Sequence, residues 1–112
     1  MRTVVTTCLA AWLCACSLLS PGKDAQGSAL RQRAEAVLTA LNRYIKANGK
    51  APETVQALVP VYIAALPAQP ELNYSVKRGT LLFSYTPDWP VGSVNACEAR
   101  FGETAFRCER YR

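Results

Sequence analysis

The chain has 112 residues, a length typical of a single domain, and its formal net charge is +5. It contains no histidine, which excludes every catalytic or metal site that depends on an imidazole. The basic residues are scattered along the sequence, so we interpret them as solvated surface charges, with a functional basic patch as the alternative. We expect no nucleic-acid partner, because the export predicted below removes the usual target.

Residues 1–15 have the pattern of a cleaved signal peptide. Arg2 supplies a positive charge, and the apolar run at residues 4–13 is shorter than the roughly 20 residues that a transmembrane helix needs. The following Leu13-Cys14-Ala15-Cys16 resembles a bacterial lipobox. This resemblance implies cleavage before Cys16 and a lipid on its thiol, which would tether the chain to a membrane of the cell envelope, facing the periplasm or at the outer membrane. The alternative is an ordinary secretory signal that yields a soluble periplasmic or secreted protein.

The cysteine content agrees with export. Of five cysteines, Cys8 and Cys14 would leave with the signal peptide and Cys16 would carry the lipid. The remaining pair, Cys97 and Cys108, is predicted to form a disulfide, as is usual for two cysteines in an exported domain.

Residues 16–27 contain a proline, two glycines and no hydrophobic periodicity, so we expect a flexible tether ahead of a domain at residues 28–112. A helix should open this domain, with Ser28 as its N-cap and Asn48-Gly49 at its end. Apolar residues spaced three and four apart define one face of this helix: Leu30, Ala34, Val37, Leu38, Leu41, Tyr44 and Ile45. After Pro52, a second, short helical segment is expected at residues 54–59 as an apolar clasp.

A first β-hairpin is predicted at residues 72–85. A two-residue turn at Arg78-Gly79 would pair Val76 with Leu81 and Tyr74 with Phe83. The apolar side chains would then share the face that the helix covers: Leu72, Tyr74, Val76, Leu81, Phe83 and Tyr85. Residues 86–95 are predicted to form a loop that packs through Trp89.

A second hairpin is predicted at residues 96–111, with a two-residue turn at Gly102-Glu103. This register opposes three pairs: Phe101 with Thr104, Glu98 with Arg107, and Cys97 with Cys108. One register thus provides the turn, opposed charges and a cysteine pair within disulfide range. We interpret the disulfide as structural, because the spacing is not Cys-x-x-Cys. The predicted fold is α+β, one long N-terminal amphipathic helix packed on a small antiparallel sheet of two hairpins.

These elements together resemble the globular head of type IV pilins and type II secretion pseudopilins. The likeness covers residues 30–112 and rests on a set of shared features: Tyr44 and Asn48-Gly49 at the helix end, then Pro52, Leu58, Pro60, Tyr62 and Leu66-Pro67, the hairpin around Gly79, and the late cysteine pair. The resemblance implies the fold of a pilin head and an association with a secretion or pilus system.

The chain departs from the pilin pattern before the head domain. Pilins carry a prepilin-peptidase site followed by a long apolar helix that forms the filament core. Here Gly27-Ser28 precedes a helix that contains Arg31, Arg33 and Glu35, which fit neither a filament core nor a bilayer. A lipid on Cys16 would instead tether the head to a membrane.

Three functions compete on this basis. The favoured one is a non-enzymatic accessory or interaction protein of a secretion or pilus apparatus, with proteins of that apparatus as partners. The alternative is a stand-alone envelope lipoprotein that binds a protein, a glycan or a lipid. Its candidate surface is Trp89, Arg110, Tyr111 and Arg112, because aromatic and arginine side chains recur at binding hot spots. An enzyme is disfavoured because the carboxylates are dispersed, and we expect no cofactor and no metal.

Overall fold

The computed structural model describes residues 20–111, which form an α+β domain as predicted. Its elements in chain order are helix α1 (Ala25–Asn48), a 3₁₀ helix (Val55–Leu58) and strands β1 (Asn73–Ser75), β2 (Thr80–Tyr85), β3 (Val94–Arg100) and β4 (Arg107–Tyr111). The strands form one antiparallel sheet in the order β1-β2-β3-β4, and α1 packs on this sheet. The predicted signal peptide, Cys16 and Arg112 lie outside the described residues.

Helix α1 begins earlier than predicted, and its N-cap is Asp24 instead of Ser28. The Asp24 carboxylate accepts a hydrogen bond from the Gly27 N–H at 3.1 Å, and Ala25 is the first helical residue. Aspartate and serine cap a helix about equally well, so propensity alone could not choose between them. Residues 20–27, predicted as part of a tether, therefore belong to the folded domain, and Gly22 and Gly27 are buried there.

The end of α1 and its buried face follow the prediction. Gly49 takes a φ of 78°, and its N–H donates to the Ile45 carbonyl at 2.7 Å. The helix buries the predicted apolar residues Leu30, Ala34, Val37, Leu38 and Leu41. The sheet contributes the other half of the core: Leu81, Phe83, Tyr85, Cys97 and Ala99.

The pairing of β1 with β2 is shifted by two residues from the predicted register. Tyr74 lies opposite Leu81, where Val76 was expected. The chain turns over residues 76–79, with the Gly79 N–H donating to the Val76 carbonyl at 3.2 Å. The Gly79 carbonyl in turn accepts from the Phe101 N–H at 2.8 Å, which holds this wider turn against the end of β3. A two-residue shift preserves the alternation of side chains, so the side chains of β1 and β2 that were predicted to face the core still do so. Val76 is the exception, because it lies in the turn and is exposed.

The register of β3 with β4 is the predicted one. Cys97 lies opposite Cys108 and Glu98 opposite Arg107, and the two cysteines form a disulfide. The two-residue turn is wrong, since β3 ends at Arg100 and β4 begins at Arg107.

Helix α1 holds this wider turn between β3 and β4. The Gly102 N–H donates to Asn42 Oδ1 at 2.8 Å, and Asn42 Nδ2 donates to the Glu103 carbonyl, also at 2.8 Å. The Glu103 carboxylate accepts from the Arg107 guanidinium at 2.8 Å and from the Arg100 N–H at 2.8 Å. The pairing of Phe101 with Thr104 is therefore absent from the β3–β4 ladder.

Residues 50–72, here called the clasp segment, cover the C-terminal end of α1. The predicted α-helical turn is the 3₁₀ helix Val55–Leu58, which inserts the fully buried Leu58. Tyr62 packs edge-on against Tyr44 of α1, with ring centroids 5.3 Å apart. The Tyr74 hydroxyl of β1 donates to the Pro52 carbonyl, so the clasp segment is also joined to the sheet.

Candidate functional site

Four parts of the chain meet through polar side chains at the N-terminal end of α1. The Tyr85 hydroxyl, at the end of β2, donates to Asp24 Oδ1 at 2.5 Å and accepts from the Gly22 N–H at 3.0 Å. It also accepts from Asn95 Nδ2 of β3 at 3.0 Å, and Arg110 Nε of β4 donates to Asn95 Oδ1 at 3.3 Å. We call Asp24, Tyr85, Asn95 and Arg110 the Tyr85 network.

Electrostatics within the Tyr85 network favour a carboxylate beside a neutral phenol. Burial favours the uncharged form of Asp24, but hydrogen bonds from Tyr85 and Gly27 and the charge of Arg110 outweigh it and lower the carboxyl pKa below its ordinary 3.8. Burial, followed by the hydrogen bond to Asp24, raises the pKa of Tyr85 above its ordinary 10.0. In residues 20–111 no buried side-chain nitrogen or oxygen lacks a hydrogen-bond partner, so the buried polar atoms of the Tyr85 network are satisfied within the domain.

Arg110, predicted as part of a binding surface, contributes to the Tyr85 network. Its side chain is half-buried and contacts Asn95 on the helix-facing side of the sheet. The other predicted arginine, Arg112, lies outside the described residues.

Trp89 is exposed, so the prediction that the loop packs through its indole is wrong. The side chain is 73% exposed, and Val91, two residues on, is 82% exposed. The loop is held at both ends instead, because Pro87 and Ser93 are buried and the Ser93 hydroxyl donates to the Pro90 carbonyl at 2.6 Å. The β2–β3 loop thus presents two apolar side chains to solvent from a fixed base.

Tyr111 is also exposed, as a binding surface requires. It lies opposite Val94 on the face of the sheet that α1 does not cover, and both residues are exposed. Its hydroxyl donates to Glu109 Oε2 at 2.9 Å, and this contact raises the pKa of Tyr111 above its ordinary 10.0. Because Tyr111 ends β4 and Trp89 follows β2, both residues lie at the same end of the domain as Asp24.

Two grooves flank β4, one lined by charges of both signs and one whose charged lining residues are all basic. The outer face of the sheet carries a groove of about 100 Å³ whose lining includes both acidic and basic side chains: Leu82, Ala96, Glu98, Arg107, Glu109 and Tyr111. A second groove, between residues 20–23 and 105–108, is lined by Lys23, Arg31 and Arg107 among others. Arg31 already contacts Glu35 at 3.7 Å, and Arg107 contacts Glu103 at 2.8 Å.

The sequence-based prediction missed the Tyr85 network. Asp24 was assigned to the tether and Tyr85 to the apolar core, while Asn95 was placed in a loop. One signal was present in the sequence, because Asn95 shares its side-chain parity with Cys97 and Ala99. A polar residue on the core face of a strand needs buried partners, and here they are Tyr85 and Arg110.

Comparison with known proteins returned no match to a protein-family model, a curated protein or a solved structure. The resemblance to pilin heads therefore stays a prediction. Among residues 20–111, no helix is both long and apolar enough to cross a bilayer. The same stretch of chain does not bring three or more cysteine, aspartate or glutamate side chains together in a group that could hold a metal ion.

Proposed function

We propose that this chain is an exported, membrane-tethered, pilin-like or pseudopilin-like accessory protein of a secretion or pilus system, without enzymatic activity. A lipid on Cys16 would anchor it, and its contacts with other proteins of the apparatus would be its function. The architecture of the described residues carries the proposal: a long N-terminal helix on a four-stranded antiparallel sheet, with a disulfide across the last hairpin. The resemblance to pilin heads implies this same arrangement.

The disulfide supports the export part of the proposal. Disulfides persist in oxidising compartments such as the periplasm and are rare in the reducing cytosol. Cys97 is fully buried in the core, and Cys108 is packed against it from the edge strand β4. Such a placement suits a structural crosslink, because a redox-active cysteine needs an accessible thiolate.

The two carboxylates with lowered pKa values, Asp24 and Glu103, fit the non-enzymatic part of the proposal. Perturbed groups in enzymes converge on a cleft. Here Asp24 caps a helix, and the pKa of Glu103 is lowered by the Arg100 N–H and then by the Arg107 side chain within a surface turn. Each of these carboxylates stabilises local structure.

A second candidate function is a stand-alone envelope lipoprotein that binds a protein, a glycan or a lipid. The observation that favours it is the exposure of Trp89 and Val91 in the β2–β3 loop. In this case the chain would have a pilin-like fold but would not take part in a secretion or pilus apparatus.

Photo-crosslinking from the outer sheet face in the native envelope separates the two functions. Adducts with pilus or secretion subunits support the accessory role, and their absence together with adducts to another envelope component supports the stand-alone role.

Membrane fractionation tests the anchor. We expect wild type and the control Cys14→Ala to remain in the membrane fraction, because Cys16 is intact in both. Cys16→Ala should move to the soluble fraction, since the only predicted acylation site has been removed. Continued membrane fractionation of Cys16→Ala would indicate a retained signal peptide or another anchor. The intact mass of the variant distinguishes these two, and a wild-type mass without acyl chains would contradict a lipid anchor at this position.

A further inference from the structure

The β2–β3 loop lies at the end of the domain where the chain enters it from the N-terminal side. Tyr85, the last residue of β2, is hydrogen bonded to both Gly22 and Asp24. The loop at residues 86–93 starts directly after this contact. Helix α1 then runs away from it for 24 residues, or about 36 Å.

A lipid on Cys16 would place this end of the domain next to the bilayer. Four peptide steps separate Cys16 from Ser20, the first described residue. Even fully extended, they would span no more than about 14 Å. The loop end therefore stays within reach of the headgroups, while the C-terminal end of α1 is free to point away from them.

The two exposed side chains of the loop suit a bilayer interface. Trp89 is 73% exposed and Val91 is 82% exposed. Insertion into a bilayer interface would remove this apolar surface from water, which is favourable. Tryptophan is enriched at the headgroup level of membranes, where its amphipathic ring fits. Lys23 and Asp88 are both exposed in this part of the chain, so the contact does not depend on one sign of lipid charge.

We propose that Trp89 and Val91 insert into the interface of the bilayer that carries the Cys16 anchor. This inference rests on the proposed anchor and adds a second membrane contact to it. Two contacts orient a domain where a single anchor leaves it free to rotate. The clasp segment at the far end of α1 would then project away from the bilayer, toward protein partners.

Tryptophan fluorescence tests the proposal. Of the two tryptophans, Trp12 lies within the predicted signal peptide, so Trp89 would be the sole indole of the anchored protein. The lipidated protein is reconstituted into phosphatidylethanolamine–phosphatidylglycerol vesicles that contain lipids brominated near the headgroup end of their acyl chains. We expect a blue-shifted emission and strong quenching of Trp89, relative to unlipidated residues 17–112 free in solution.

A double variant, Trp89→Phe with Val61→Trp, is the matched control. Val61 is 76% exposed, and the neighbouring Tyr62 hydroxyl accepts a hydrogen bond from Asn48 Nδ2 at the opposite end of α1. The relocated indole should emit as in water and escape quenching. It uses the same anchor, so it separates local insertion from mere attachment to the vesicle.

Two results would overturn the inference, and they are distinguishable. Protein that floats with the vesicles while Trp89 is quenched no more than the relocated indole contradicts the membrane contact and leaves the anchor in place. Protein that carries no acyl mass and does not float contradicts the anchor, and the inference falls with it.

Discussion

The two ends of α1 are held to the rest of the domain by different kinds of contact. At its N-terminal end, the Tyr85 network joins the helix to β2, β3 and β4 through hydrogen bonds among buried or half-buried groups. At its C-terminal end, the clasp segment covers the helix with Leu58 and Tyr62, mainly through apolar and aromatic packing.

The two ends of α1 should therefore differ in which substitutions they tolerate. A hydrogen-bond network needs each donor and acceptor in place, and removing one leaves another buried group unsatisfied. Apolar packing depends on volume and area, so conservative exchanges are tolerated there and truncations are costly. The N-terminal end should therefore respond to the loss of single atoms and to pH, and the C-terminal end to cavities.

The largest effect is expected from Leu58→Ala at the clasp end. Leu58 is fully buried, and its truncation should lower the free energy of unfolding by roughly 3–4 kcal/mol through lost burial and a cavity. Chemical denaturation measures the loss. Gln56→Ala, an exposed change in the same 3₁₀ helix, is the control and should be nearly neutral. Similar values for both variants would show that the clasp segment is not packed as described.

Loss of the disulfide should come next. Replacing Cys97 and Cys108 by serine opens a link with a sequence separation of 11, which on the chain-entropy model costs roughly 2–3 kcal/mol. Thermal unfolding of the wild type with and without reductant gives the same comparison without substitution. The double variant should not respond to reductant. If the melting temperature of the wild type were the same with and without reductant, a stabilising disulfide between Cys97 and Cys108 would be excluded.

Tyr85→Phe tests the N-terminal end of α1 by removing a single hydroxyl group from the Tyr85 network. The ring stays in the core, but Asn95 Nδ2 and the Gly22 N–H lose their acceptor, and Asp24 loses a donor. The cost should be about 2 kcal/mol, the scale of unsatisfied buried polar groups. Tyr62→Phe at the clasp end is the control, since its hydroxyl is engaged only at an exposed site. Equal losses of unfolding free energy in Tyr85→Phe and Tyr62→Phe would show that the two ends of α1 do not differ in this way.

Asp24→Asn should give the smallest effect, and chiefly a change in pH dependence. The depressed pKa of the Asp24 carboxyl means that its stabilisation is present above the ordinary 3.8 and is lost as the pH falls through the folded-state pKa. Asparagine keeps one acceptor oxygen for the cap, but its amide nitrogen replaces the oxygen that accepts from Tyr85, and the charge is lost. The cost at neutral pH should therefore be about 1 kcal/mol. The variant should lose less stability in acid than the wild type does. Asp88→Asn controls for the loss of one exposed carboxylate, and equal acid sensitivity of both variants would exclude this role.

The apolar pattern predicted the core better than it predicted the polar contacts. The helix face and the strand faces follow directly from periodicity, and a two-residue shift of β1 left those faces unchanged. The β3–β4 register was right because the cysteines and the opposed charges of Glu98 and Arg107 both specify it. Its turn was wrong because Asn42, about 60 residues away in sequence, holds the chain there, and local turn rules do not include such a partner.

The candidate site was predicted only in part. Exposure of Trp89 depends on the burial of Pro87 and Ser93 on either side of it, which no periodic pattern reveals in a loop. Arg110 was assigned to a binding surface because aromatic and arginine side chains recur at binding hot spots, and its partner Asn95 lies on the core face of β3. The exposure of Trp89 and the contact of Arg110 with Asn95 both depend on residues that are distant along the chain or lie outside regular structure.

We propose that this disulfide-bonded domain is tethered to a membrane by a lipid on Cys16. The most direct test is an intact-mass spectrum of the unreduced protein purified from its native membrane. We expect a chain that begins at Cys16, carries added acyl chains and is two hydrogens lighter than its reduced form. A chain that begins at a later residue and carries no lipid would contradict the tether and would favour a soluble exported binding domain.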